Sequence, residues 1–226
     1  SGTATFAGGI GADTITGSSQ ADTLIGNSGG DTISGGAGND TITSGAGIDT
    51  VTLGAGTDTI VITAEGTANY VTVTDFNAAT SGENDEIEFD VSAINGGSIS
   101  DTTGTTVTGG MADAVVEYDG ANALASNTAA IVFIKATATD YNSFADVDAD
   151  IDANNITLDG GGSAFAVGEG ILFGFYDNDG GYASVGYLES DTADVFDNGN
   201  TYVEVARLTM TTTEWSAFDA DNIDVV

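Results

Sequence analysis

The sequence predicts an all-β protein whose first third is a stack of short coils, on three observations. Asp recurs every nine residues from Asp13 to Asp58, Thr and then an aliphatic residue follow each Asp, and glycines crowd the positions before it. Read from Gly8, the segments are GGIGADTIT (8–16), GSSQADTLI (17–25), GNSGGDTIS (26–34), GGAGNDTIT (35–43), SGAGIDTVT (44–52) and LGAGTDTIV (53–61). The aspartates are Asp13, Asp22, Asp31, Asp40, Asp49 and Asp58, and the aliphatics are Ile15, Leu24, Ile33, Ile42, Val51 and Ile60. Residues 1–64 carry no acidic group outside that register. A flexible linker would scatter its charges rather than hold them at one phase.

Each repeat reads as a turn and a strand. Glycine before the Asp permits positive φ and a tight loop that exposes its carbonyls. The Thr–aliphatic triplet favours β structure and suits only a very short strand, with the aliphatic facing inward. Two repeats then make one coil, and successive coils stack at about 4.8 Å. This places Asp13, Asp31 and Asp49 along one edge and Asp22, Asp40 and Asp58 along the other, with Asp58 last in its column. Carboxylates about 5 Å apart repel by roughly 0.8 kcal/mol per pair even in water, so the stack calls for a cation. The candidate ligands are the six Asp carboxylates and the turn carbonyls around Gly9, Gly11, Gly29, Gly36, Gly38, Gly45, Gly47, Gly54 and Gly56. Such hard, flexible oxygen donors suit Ca2+ better than Mg2+, and three turns per edge give about four sites.

These segments resemble the GGxGxD nonapeptides of the RTX (repeats-in-toxin) family, and residues 8–16 and 35–43 match the full pattern. The resemblance implies a parallel β-roll with calcium held between turns. It also implies export by the type I secretion machinery and folding outside the cell. The segment 17–25 departs from the pattern at Ser18 and Gln20, which predicts weaker calcium binding near Asp22; Ser44 and Leu53 are milder departures.

Residues 71–91 (VTVTDFNAATSGENDEIEFDV) are similar to the segment that often closes an RTX roll, through Asp75, Phe76, Gly82, Asp85 and Ile87. Ile87, Phe89 and Val91 alternate with Glu86, Glu88 and Asp90, the pattern of a half-buried strand. Asp75 and Asp85 are candidates for a terminal calcium, against the alternative of a capping strand with solvated acids.

The division falls near residue 91: a calcium-binding roll with capping strands over 1–91, and an all-β region over 92–226. Strand-like runs there are 113–118, 129–135, 170–176, 182–189 and 201–209, with hairpin turns at 176–181 and 197–200. Tyr141, Phe144, Val147 and Ile151 predict a short amphipathic helix over 140–152, and Thr211 with Glu214 predicts a capping box before a helix at 212–218. The region therefore reads as a β-sandwich-like body with one or two short helices. Asp177 and Asp179 in the first hairpin are further metal candidates, against a plain turn. The acids of 146–152 fail the EF-hand pattern, since the sixth position from Asp148 is Ala153. The end, FDADNIDVV (218–226), is similar to the tails of type I secretion substrates, and a last strand would look the same.

Composition excludes several classes. Thirty-five acidic residues face two basic ones, Lys135 and Arg207, for a net charge of −33. Such a chain repels nucleic acids and anionic membranes and attracts cations. There is no Cys, so no disulfide or thiolate chemistry, and no His, the usual general base and zinc ligand. The Gly26–Gly30 match to G-x-S-x-G lies inside a repeat and lacks a His to activate Ser28. No apolar run reaches the roughly 18 residues of a membrane span. The start at Ser1-Gly2-Thr3, without Met, reads as a fragment or a processed product.

The sequence thus predicts a non-enzymatic, calcium-binding protein, secreted or at the cell surface. The favoured reading is a structural protein that self-associates in calcium, resembling bacterial S-layer proteins with RTX repeats in its acidic, Cys-free, nearly Lys-free composition. The alternatives are a calcium-triggered folding and secretion module on an enzyme or toxin, and an adhesin that binds a cell-surface polysaccharide.

Overall fold

The structure, a computed structural model, describes residues 2–63, 68–78, 83–90, 115–118, 131–134, 170–189, 201–219 and 222–225. The helix expected over 140–152, the acids of 146–152, the hairpin at 197–200, Lys135, Gly82 and Val91 lie outside the described residues.

The nonapeptides form strands β1 (Thr5–Ala7), β2 (Thr14–Thr16), β3 (Thr23–Ile25), β4 (Thr32–Ala37), β5 (Thr41–Thr43), β6 (Ile48–Ala55) and β7 (Thr59–Ile62). The closing segment adds β8 (Tyr70–Val73) and β9 (Glu86–Phe89). Odd strands stack in parallel in one sheet and even strands in the other, so each coil crosses from sheet to sheet and back. The register places Phe6, Leu24, Ile42 and Ile60 in one inward column, and Ile15, Ile33 and Val51 in the other. The six aliphatics of the repeats are all buried, at 8% exposure or less. Three strands exceed three residues: β7 has four, and β4 and β6 run on into the turns, where Gly36 pairs with Gly54 and Ala37 with Ala55. Leu53, standing where glycine opens four of the other repeats and Ser44 the fifth, is fully buried and joins the core.

The later strands prolong these same two sheets. They are β10 (Val115–Tyr118), β11 (Ile131–Ile134), β12 (Gly170–Asp177), β13 (Tyr182–Glu189), β14 (Thr201–Thr209) and, after helix α1 (Thr212–Ala217), β15 (Ile223–Val225). β14 lies parallel to β8, with Leu208 opposite Val73, and β15 lies parallel to β9, with Ile223 opposite Ile87. The nine-stranded sheet therefore runs β10-β11-β12-β13-β14-β8-β6-β4-β2 and the six-stranded one β1-β3-β5-β7-β9-β15. Neither sheet breaks at residue 91. β14, α1 and β15 together lay one more coil on the roll, and one continuous core extends from Ile15 to Ile223.

Aromatic packing holds that coil in place. The capping box of α1 is present: the Glu214 amide donates to Thr211 Oγ1 at 3.2 Å and the Thr211 amide to Glu214 Oε2 at 2.6 Å. This aims buried Trp215 between Tyr176 (6.3 Å between ring centres) and Phe218 (5.5 Å), and Phe218 meets Phe76 of the closing segment at 5.7 Å. Across the outer face, Arg207 pairs with both oxygens of Glu204, at 3.0 and 2.7 Å, and sits 5.1 Å from the ring centres of both Tyr70 and Tyr182. It ties β8, β13 and β14 together.

Candidate metal centre

The repeat aspartates stand at the turn–strand junctions, and the stacking register brings them into two columns. In one, the Asp13 amide donates to Asp31 Oδ1 and the Asp31 amide to Asp49 Oδ1, both at 2.8 Å. In the other, the amides of Asp22 and Asp40 donate at 2.7 Å to Oδ1 of Asp40 and Asp58. Each carboxylate from Asp22 to Asp58 therefore caps the peptide one coil before it, a charge-assisted bond that the sequence reading did not foresee. Asp58, expected to end its column, does not: its amide donates to Asp85 Oδ1 at 3.0 Å, so Asp85 supplies a further rung.

The second oxygens divide the aspartates into two classes. Oδ2 of Asp31, Asp40, Asp49 and Asp58 is buried with no hydrogen-bond partner. Oδ2 of Asp13 and Asp22 instead accepts the amide four residues before it, from Gly9 and Ser18, at 2.7 Å in both cases. The difference follows the backbone at the second residue of each repeat. Asn27, Gly36, Gly45 and Gly54 have positive φ (75°, 111°, 96° and 107°), and their four repeats are those with the orphaned oxygen. Gly9 and Ser18 are not among the positive-φ residues, and their amides point back into the carboxylate. A left-handed residue at this position thus turns the amide away and leaves the carboxylate oxygen unpaired.

Gly36 shows why the turn needs glycine. Besides its φ of 111°, a Cβ there would strike the Ser18 carbonyl of the preceding coil. The fourth position is also left-handed at Gly11, Gly29, Gly38, Gly47 and Gly56, whereas Gln20 is not. The departure of repeat 17–25 from the glycine pattern is therefore visible as a different turn. Asn27 was overlooked because the sequence reading weighed glycines; its signal is that Asn tolerates left-handed backbone better than other side chains.

Carbonyls converge on the same places. A Cβ built on Gly26 would touch both Asp31 Oδ2 and the Ser44 carbonyl of the next coil, and one on Gly35 both Asp40 Oδ2 and the Leu53 carbonyl. Burial, ahead of repulsion from the neighbouring aspartate of the column, pushes the carboxyls of Asp40 and Asp49 up, and that of Asp58 to about 6. Asp58 is thus ionised at neutral pH. An ionised, buried, unpaired oxygen is costly unless a cation meets it. Carboxylate and carbonyl oxygens form a hard donor set, which fits calcium. Among the described residues no three His, Cys, Asp or Glu side chains cluster, so backbone carbonyls must supply the balance of any ligand shell.

The remaining candidates serve as framework. Asp75 accepts the amides of Leu53 and Gly54, at 2.8 and 3.0 Å. Asp85 Oδ2 accepts the Asn77 amide at 2.9 Å, so both oxygens of Asp85 are satisfied; burial pushes its carboxyl up to about 7. Asp177 closes its hairpin by accepting the Gly180 amide at 2.6 Å, and Asp179 is exposed in the same turn. Sequence reasoning missed Ser44 and Asn222, both of which are buried.

Residues 1–33 and 25–60 match the family described as RTX calcium-binding nonapeptide repeat (4 copies). No curated protein matches the sequence. Among solved structures, that of the AlgE6R3 subunit from the Azotobacter vinelandii mannuronan C5-epimerase is similar over 96% of this chain and 79% of that one, at 19% identity and a TM-score of 0.46.

Proposed function

We propose that this chain, whose first 60 residues carry RTX calcium-binding repeats, is an extracellular structural protein that folds and self-associates when calcium is bound. The observation that carries the calcium reading is the set of four buried, unpaired carboxylate oxygens, on Asp31, Asp40, Asp49 and Asp58. Two lie on each edge of the roll, which supports about four sites. In this reading those aspartates hold the metal together with turn carbonyls. Asp13, Asp22 and Asp85, whose oxygens accept backbone amides, brace the ends of the columns, and Asp75 braces the turn at Leu53 and Gly54. Bound calcium supplies positive charge between coils whose carboxylates otherwise repel.

Export and self-association rest on different support. An affinity of about 10⁻⁴–10⁻³ M is typical of extracellular modules, so the roll would stay open in a low-calcium cytosol and close outside. Self-association has support in the N-terminal end of the roll, where β1 and β2 are edge strands without Pro or charge to blunt them. The test is calorimetry with parallel light scattering. About four calcium ions bound, with association on saturation, is the expected result. Full occupancy in a strictly monomeric protein would leave a folding and secretion module; no binding at millimolar calcium would end the calcium reading.

A further inference from the structure

The two columns end differently. The Asp13–Asp31–Asp49 column meets ordinary sheet, since Asp49 lies opposite Val71 in the pairing of β6 with β8. The Asp22–Asp40–Asp58 column ends on Asp85, which belongs to a loop rather than to a repeat. That loop is held from the far end of the chain. Asn222, fully buried, donates through Nδ2 to Asn84 Oδ1 and to the Asp85 carbonyl, both at 2.8 Å, across 138 and 137 residues of sequence. Its Oδ1 accepts the Asp219 amide at 3.1 Å, which fixes its own orientation.

Resting on the calcium reading above, we propose that Asn222 is a positioning residue for the cation sites of the Asp22–Asp40–Asp58 column and not for those of the opposite one. The path is short. Asn222 sets the backbone at Asp85. Asp85 Oδ1 sets the Asp58 amide, and the peptide ending in that amide immediately precedes the Asp58 side chain, whose Oδ2 is unpaired. Asp58 Oδ1 in turn holds the Asp40 amide at 2.7 Å, which carries the same constraint one coil further. Asp85 has no oxygen left over, because Asn77 takes Oδ2; it is a rung that positions and does not ligate. Through Asn222 the C-terminal segment thereby acts on this edge of the roll.

The amides themselves report the outcome. Backbone NMR of the full chain, titrated with calcium chloride, follows Asp22, Asp40 and Asp58 in one column and Asp13 and Asp31 in the other. Asn222→Asp keeps the Oδ1 acceptor and loses both Nδ2 donations. It should raise the calcium midpoint of the Asp40 and Asp58 amides several-fold while Asp13 and Asp31 move little. Asn84→Ala, which removes one of the two acceptors, should act on the same column more weakly, and it carries the test if Asn222→Asp does not fold. Equal shifts in both columns would reduce Asn222 to general packing, and no shift in either would remove it from the calcium site; both overturn the proposal. Wild-type amides that ignore calcium would instead sink the calcium reading, and this inference with it.

Discussion

The Asp31 amide donates to Asp49 Oδ1 at 2.8 Å, while Asp49 Oδ2 is buried with nothing to accept from. One side chain thus does two jobs: one oxygen locks the coil before it, and the other is left for a cation. Substitutions can separate these jobs.

Asp40→Asn keeps an Oδ1 acceptor for the Asp22 amide and removes the charge beside the unpaired oxygen. The calcium midpoint of folding, followed by far-ultraviolet circular dichroism, should rise about tenfold or more, the scale of a lost charged contact of roughly 1.5–3 kcal/mol. Asp58→Asn should match it, because Asp85 extends the column beyond Asp58. Asp22→Asn should shift the midpoint less, since Ser18 already occupies its second oxygen. Equal effects at Asp22 and Asp40 would contradict the division of the aspartates into two classes.

Gly36→Ala places a Cβ on a backbone at φ 111° and against the Ser18 carbonyl. The cost should exceed about 1 kcal/mol, the ordinary penalty being larger where φ is positive and the site is closed. Gly181→Ala, also at positive φ but with nothing within 4 Å, should cost less. Denaturant unfolding in saturating calcium compares the two.

Acid should stabilise the chelated protein. Burial raises the folded carboxyls of Asp85 to about 7 and Asp58 to about 6, against 3.8 unfolded. Between those values the folded state binds more protons than the unfolded one, so stability rises as pH falls from about 7 towards 4 and is lost as pH rises through the folded values. With calcium present the trend should reverse, because protons compete for the same oxygens. The β signal in far-ultraviolet circular dichroism in chelator, and urea midpoints in calcium, each at pH 7.5 and 5.0, check both signs; a chelated protein with less β signal at pH 5.0 would refute the first.

Trp215 is the only tryptophan, buried between Tyr176 and Phe218. Chelation should shift its emission to the red at the same calcium midpoint as the loss of β signal, because Phe218 docks on Phe76 of the roll. Phe76→Ala should destabilise by about 3–5 kcal/mol and uncouple the two signals. An unchanged Trp215 spectrum on chelation would mean that the last coil stands without the roll beneath it.

The roll was legible because period and chemistry coincide: glycine, Asp and an aliphatic each recur at one phase, and each has a single structural use. The capping box at Thr211 and the hairpin at 176–181 were legible for the same local reason. Long-range pairing was not. Nothing near residue 201 announces that β14 will lie beside β8, or that Ile223–Val225 will be a strand of the roll and pair with β9. The boundary drawn near residue 91 marked a change in composition that the sheets do not follow. The two classes of aspartate were hidden for a subtler reason. GGIGAD and GGAGND look alike, yet Gly9 and Gly36 take opposite backbone turns.

The 18-residue register leaves a mark on how such a chain can change length. Loss or duplication of one nonapeptide would exchange the two edges for everything downstream and set each following strand on the wrong sheet. Gain or loss of two would return every side chain to its own column. Inheritance can therefore lengthen or shorten this part of the molecule only in pairs of repeats, with the dissimilar coils built from β8, β9, β14 and β15 kept as a fixed terminus.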